Sequence, residues 1–287
     1  MSFDSAPLVI GGLGGSGTRV IAQLAQAMNV HIGECLNHAL DNRWFAMLFR
    51  RQSWAKKAPD HEVLRALDIF TRASIYGLNS QISDLDIGLI DHCFTNWSLS
   101  QNKPEIAAEI KSELLQSEAM QKTEYRSWGW KEPNSHIFIP EIAEVFPNAK
   151  YILVVRNGLD MAFSRNQRQL RLWGSRFGLE VERPTDVTPE LSLQYWLYAN
   201  ETARQNLDRR MPGRWLVVNF EKLWQDTGTE ISRISEFIGV ELTPKKIAEL
   251  SEFVQEPSTA GRFRAHSLTV FRQDQIDAVK ALGFAVN

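Results

Sequence analysis

Residues 8–10, 151–155 and 215–218 are short unbroken apolar runs, each set between stretches with helical spacing. Unbroken runs of this length suit strands buried on both faces, and their alternation with helices is the pattern of parallel βαβ units. A fourth strand is expected around residues 87–90. Apolar positions at Val20, Leu24 and Met28 predict a first helix. A long, mainly helical stretch follows, with helices over 43–51, 61–76 and 105–122, the last opened by Pro104. Beyond Asn157 a helix is expected over 161–172, then a loop marked by Gly and Pro over 174–189. Helices over 191–209, 231–239 and 244–254 close the chain. The pattern predicts an α/β fold of three layers, a mainly parallel sheet with flanking helices. One domain over residues 1–287 is expected, with a helical insertion at about 42–125 after the first βα unit.

Composition narrows the functional classes. Across 287 residues, Lys and Arg total 32 against 34 Asp and Glu, a near-neutral balance that argues against a general nucleic-acid binder. The two cysteines, Cys35 and Cys93, have no metal-ligand spacing and suit a reducing compartment. No metal site is expected. Without an apolar run of membrane-spanning length or a basic-then-apolar start, a cytoplasmic protein without an integral membrane segment is expected.

The first strand carries the most pointed chemistry. It runs into Gly11-Gly12-Leu13-Gly14-Gly15-Ser16-Gly17-Thr18-Arg19, where the first helix opens. Glycines let backbone N–H groups converge, and the helix N-terminus adds partial positive charge, which together make a phosphate cradle. Ser16 and Thr18 add hydroxyl donors. A Walker A loop would place Lys and Ser/Thr after its last glycine, whereas here Thr18 and Arg19 follow Gly17 and the loop has no lysine. A phosphate-bearing ligand other than plain ATP is expected.

A second constellation begins at Trp128-Gly129-Trp130-Lys131-Glu132-Pro133 and continues through Phe146-Pro147-Asn148-Ala149 into the second apolar run. That run ends in Arg156, and Ser164 is expected on the second turn of the following helix. A cation and a hydroxyl at one sheet edge suit a second phosphate, distinct from that of the glycine loop. Val218-Asn219-Phe220-Glu221-Lys222-Leu223 and Ser258-Thr259-Ala260-Gly261-Arg262-Phe263-Arg264 complete the set.

Taken in order, these segments resemble the sulfotransferases that use 3′-phosphoadenosine 5′-phosphosulfate (PAPS), in their bacterial and tyrosylprotein branches. The likeness runs from residue 8 to about residue 264 and implies a P-loop NTPase-like fold. It also implies that PAPS is the cofactor and that sulfuryl transfer proceeds by in-line displacement, releasing adenosine 3′,5′-bisphosphate. Gly14, Gly15, Ser16, Gly17, Thr18 and Arg19 would hold the 5′-phosphosulfate, and Arg156 and Ser164 the 3′-phosphate. Gly261, Arg262 and Arg264 would close over the cofactor. Many family members carry Lys or Arg where this chain has Gly15. Either Arg19 or Lys131 must then supply that charge, and Lys131, in the family's Lys-x-Pro position, is the choice.

The resemblance puts a glutamate base after the second strand, which makes Glu34 the first candidate, with Asp41 and His38 behind it and His92 and His136 also open. The acceptor is expected to be a small molecule, glycan or lipid offering a hydroxyl or amine, met by the helical insertion. Trp44, Phe45, Phe49 and Trp54 could line its site, and Arg43, Arg50 and Arg51 could read an anionic acceptor. Arg165, Arg168 and Arg171 could assist the cofactor. Two alternatives share the architecture: a P-loop kinase or NTPase, and a nucleotide-binding interaction protein that has lost catalysis.

Overall fold

In the computed structural model, which describes residues 6–78, 82–101, 103–121 and 124–287, the glycine loop leaves the centre of a five-stranded parallel sheet. The strands are β1 (Leu8–Gly12), β2 (Val30–His31), β3 (Ser127–Lys131), β4 (Lys150–Val155) and β5 (Trp215–Asn219), in the order β2-β3-β1-β4-β5. Val9 pairs with Trp130 on one side and Tyr151 on the other, and Val155 pairs with Asn219. Side chains alternate across the sheet as strand geometry requires. Leu8, Ile10, Ile152 and Val154 join one apolar cluster with α1 (Thr18–Ala27), while Val9, Tyr151, Leu153 and Val155 join the other. Burial on both faces is why these strands read as unbroken apolar runs.

Between β2 and β3 lies a helical block: α2 (Arg43–Phe49), α3 (Asp60–Ile75), α4 (Asp84–Gln101) and α5 (Pro104–Leu115). The Asn42 side chain caps α2 by accepting from Phe45 N at 3.0 Å, while the Asn42 backbone N–H donates to the Lys131 carbonyl at 2.8 Å. The block is thereby fastened to the end of β3. Phe45, Phe49, Phe70, Trp54, Trp130 and Phe138 stack or meet edge-on at centroid separations of 4.1–6.2 Å.

Three expectations are corrected and one strand is added. Residues 87–90 belong to α4, where Ile90, Cys93 and Trp97 are buried at spacings of three and four, a helical stripe rather than a strand. The helix expected over 105–122 ends at Leu115, after which Ala119 bridges to Tyr76; Lys122, its expected end, lies outside the described residues. The helix expected over 161–172 is two separate helices, Gly158–Ala162 and Arg168–Trp173. The Gln167 amide separates them by donating to the carbonyls of Met161 and Ser164 at 3.0 and 2.8 Å. Finally, Ser127–Lys131 is a strand that the apolar pattern does not reveal.

Candidate functional site

The carboxyl ends of β1, β3 and β4 carry the site. Gly15 and Gly17 adopt φ of 99° and 96°, the left-handed region that glycine enters without strain. A Cβ at Gly17 would stand 2.2 Å from the Phe220 ring, so close packing as well as the backbone demands glycine there. Ser16 N donates to the Leu13 carbonyl and Gly14 N to Gln169 Oε1 at 2.7 Å. Among the described residues, the N–H groups of Gly15, Gly17 and Thr18 have no protein acceptor. Ser16 Oγ is buried without a partner, and the Thr18 side chain is buried beside it at the start of α1. Unpaired donors at a helix N-terminus are the kind of group that an anion satisfies, which makes this loop a candidate anion site. Arg19 is exposed on the helix surface.

Arg156, at the end of β4, is nearly fully buried and spans the loop and a late segment of the chain. One guanidinium nitrogen donates to the Gly15 carbonyl at 3.3 Å, the other to Thr259 Oγ1 at 2.9 Å, and Nε has no partner. Burial pulls its pKa down, while Asp160 and Glu221 support the charge. Asp160 also accepts the N–H groups of Gly261 and Phe263 at 2.8 and 3.2 Å, which fixes the late segment beside Arg156. Arg262 lies close enough to oppose the Arg156 charge. Arg264 is exposed, lies over the Phe263 ring and donates to the Asn287 carbonyl at 3.1 Å. Ser164 follows the helix Gly158–Ala162 instead of riding on its second turn, and its hydroxyl accepts from Asn166 N at 3.2 Å.

Lys131 closes β3. Its ammonium pairs with the Asp41 carboxylate and donates to the Ala39 carbonyl at 2.9 Å. The loop supplying both partners is folded by Asn37, whose side-chain oxygen accepts from Ala39 N and Asp41 N at 2.8 and 2.9 Å. The structure therefore brings Lys131 and Asp41 together as a pair. Glu34 stands exposed at the start of the same loop, 3.7 Å from His31, and His38 is exposed.

Other sequence candidates fall elsewhere. His92 lies exposed on α4 against Asn96. His136 is buried with Nδ1 2.8 Å from the Pro133 carbonyl, and burial drives its pKa down to about 4. Arg51 is wholly buried, 3.5 Å from the centre of the Trp54 ring and paired with Glu62 at 3.0 Å, and Arg43 reaches Glu109 at 3.3 Å. Arg51 is thereby engaged within the core, which corrects the expectation that it reads an anionic acceptor. Phe45, Phe49 and Trp54 belong to the aromatic core, and Trp44 lines a cavity. Arg165, Arg168 and Arg171 are exposed.

Sequence reasoning passed over the support beneath the loop. Glu132 is buried, accepts from Asn134 N and Nδ2 at 2.6 and 2.8 Å, and is pushed up to about 7 by desolvation. Asn134 Oδ1 in turn accepts from Gln169 and Trp173 at 3.0 and 2.8 Å, and Gln169 receives the Gly14 N–H. A relay of hydrogen bonds thus links the end of β3 to the glycine loop. Its signal in the sequence was limited to the polar run Glu132-Pro133-Asn134 after an aromatic strand.

A glycine loop at a helix N-terminus thus stands between a strand-end arginine and a strand-end lysine at the carboxyl edge of a P-loop-like α/β fold. A model of the sulfotransferase family matches residues 7–244, and the chain belongs to that family. Two curated relatives carry the name "Putative protein-tyrosine sulfotransferase". The one from Caenorhabditis elegans is 27% identical over 108 residues, 38% of this chain and 38% of its own length. The one from Caenorhabditis briggsae is 24% identical over 117 residues, 41% of this chain and 38% of its own length. The matched region thus spans well under half the length of these relatives. The sulfotransferase domain from the curacin biosynthetic pathway shares the fold, with a TM-score of 0.54 at 12% identity and 99% of both chains covered. Among the described residues, no helix is long and apolar enough to cross a membrane, and no cluster of His, Cys, Asp and Glu could hold a metal ion.

Proposed function

We propose that the chain moves a sulfuryl group from PAPS to a hydroxyl or amine of a small-molecule, glycan or lipid acceptor. The observation that carries this reading is the pairing of two anion sites at one sheet edge. The glycine loop offers acceptor-free N–H groups and the unpartnered Ser16 hydroxyl, and Arg156 on the next strand keeps an unpartnered Nε. A donor with phosphates at both its 5′ and 3′ positions fits that pairing. Bound there, PAPS supplies the group to be moved: the acceptor oxygen or nitrogen bonds to sulfur, the sulfur–oxygen bond to the 5′-phosphate breaks, and the acceptor proton leaves.

The residues divide the work as the chemistry requires. Gly15, Gly17 and Thr18 direct N–H groups at the 5′ end, with Gly14 held in place by Gln169. Arg156 binds the 3′-phosphate, with Ser164, Gly261 and Arg262 around it. Lys131, presented by Asp41, stabilises the negative charge that grows on the departing oxygen. Glu34 takes the acceptor proton. Asp41 is a positioning residue in this scheme, because its carboxylate is engaged by the ammonium. The absence of a loop lysine weighs against the kinase reading.

The deciding test is calorimetric titration of adenosine 3′,5′-bisphosphate beside ATP and 5′-AMP, without metal. Tight binding that depends on the 3′-phosphate is expected. Preference for ATP with magnesium, or no binding of the bisphosphate, would overturn the assignment.

A further inference from the structure

Beside the loop that carries Glu34 opens a cavity of about 530 Å³, a volume suited to a small organic ligand. Its walls come from β2, the loop after it, α2, the end of α3 and the segment following α5. Two observations mark it as more than a packing gap. Trp44 and Ser74 both line it and are more than nine-tenths buried, and neither the Trp44 indole N–H nor the Ser74 hydroxyl has a hydrogen-bond partner. A buried donor left unpaired costs stability unless a ligand or water meets it.

Among the described residues, the carboxylates are the charged groups that line this cavity. Glu34, Glu113, Glu118 and Glu124 line it and are all exposed, and no lysine or arginine lines it among the described residues. Arg43, whose N–H meets the Cys35 carbonyl in the cavity wall, directs its guanidinium to Glu109 instead. Four carboxylates above an aromatic, hydrogen-bonding floor attract a cation and repel an anion.

We infer that the acceptor is a cation, a hydroxylated molecule with a protonated amine apart from the group that is sulfated, and that this cavity binds it. The inference rests on the sulfotransfer reading for its chemistry, whereas the charge preference of the cavity can be measured without it. Glu34 occupies both places, lining the cavity and standing as the proposed base. The acceptor hydroxyl is therefore directed toward Glu34, with its ammonium among Glu113, Glu118 and Glu124. On transfer the hydroxyl oxygen bonds to sulfur, the hydroxyl proton passes to Glu34, and the bisphosphate leaves with the electron pair of the broken sulfur–oxygen bond.

Three phenols of similar length separate charge from shape: tyramine is cationic, 4-(2-hydroxyethyl)phenol neutral and 4-hydroxyphenylacetate anionic. Binding of each is measured by calorimetry with and without adenosine 3′,5′-bisphosphate, and kcat/KM is measured with PAPS. The expected order is tyramine, then the neutral phenol, then the acid, separated by about three- to tenfold at each step. The Glu113→Gln/Glu118→Gln double variant, checked for folding by its Tm, is expected to reduce the tyramine preference to within about twofold. Salt gives a readout on the unaltered protein. Raising it from about 0.01 to about 1 M shortens the screening length from about 30 to about 3 Å and should narrow the same preference.

Equal handling of the three phenols, preference for the acid, or no tyramine binding at millimolar concentration would overturn the inference. Bisphosphate binding with any of those results leaves the donor reading standing. Tyramine preference without bisphosphate binding supports the cation cavity and overturns the donor reading.

Discussion

The Lys131 ammonium is nearly fully buried against the Asp41 carboxylate, and the Ala39 carbonyl completes its surroundings at 2.9 Å. The pair joins the end of β3 to the loop that leaves β2. A lysine held this way can place its charge without searching rotamers, which is the preorganisation that stabilises a departing oxygen. Lys131→Ala is expected to lower kcat by about a hundred- to a thousandfold while changing bisphosphate affinity less than about threefold. Asp41→Asn should lower kcat by about tenfold and cost about 1–3 kcal/mol of stability, since it leaves a buried ammonium without its counter-charge. Steady-state transfer assays, calorimetry and urea unfolding of both variants check this.

Arg156 reaches both the Gly15 carbonyl and Thr259. Arg156→Ala should weaken adenosine 3′,5′-bisphosphate binding by about ten- to a hundredfold, the worth of charge-assisted hydrogen bonds, and leave 5′-AMP affinity nearly unchanged. Arg156→Lys is expected to recover only part of the loss, because a single ammonium cannot reproduce the planar fork. Parallel titrations with the two nucleotides measure the difference.

Glu34 is exposed and faces His31 across 3.7 Å, free of the ion pair that engages Asp41. Glu34→Gln should reduce kcat by about a hundredfold with nucleotide affinity retained, and His38→Ala should change kcat by less than about twofold. Equal losses in the two variants would contradict the assignment of the base to Glu34.

Glu132 and His136 give the stability a legible pH dependence. Burial pushes the Glu132 carboxyl from 4.5 up to about 7, with Asp41 adding to the shift and Arg50 and Asn134 opposing it. The folded state therefore holds a proton that the unfolded chain releases, so this contribution is full below pH 4.5 and is lost as pH rises through about 7. His136 runs the other way. Its pKa falls from 6.5 to about 4 on burial, so its contribution is full above pH 6.5 and is lost as pH falls toward 4. The two slopes oppose each other between pH 4.5 and 6.5. Glu132→Gln removes the first, so its unfolding free energy should rise more steeply with pH over that window than that of the unaltered protein. Urea unfolding across the window measures both slopes.

Much of this was readable from the chain because the relevant signals are local. β1 and β4 are apolar runs buried on both faces, β5 is a half-buried apolar run at the sheet edge, and the glycine loop is contiguous with the strand and helix that shape it. β3 escaped because Ser127, Gly129 and Lys131 interrupt its apolar pattern, although its Trp128 and Trp130 are buried. Residues 87–90 misled for the opposite reason: a short apolar run is common to strand and helix, and the decisive spacing extends onward to Cys93 and Trp97. At the site, Lys131 and Arg156 stood out as cations at strand ends. The roles of Asp41, Gln169 and Asp160 depend on partners 90, 155 and 101 residues away, a relation that no local pattern records.

The glycine loop, Lys131 and Arg156 rest on strand ends, whereas the cavity with its four carboxylates is walled largely by the helical block and the loop after β2. Substitutions in α2, α3 or the segment after α5 can therefore remodel the cavity while leaving the glycine loop, Lys131 and Arg156 in place. The loop of residues 33–42 is the shared border, because Glu34 and Cys35 wall the cavity at its start and Asp41 holds Lys131 at its end.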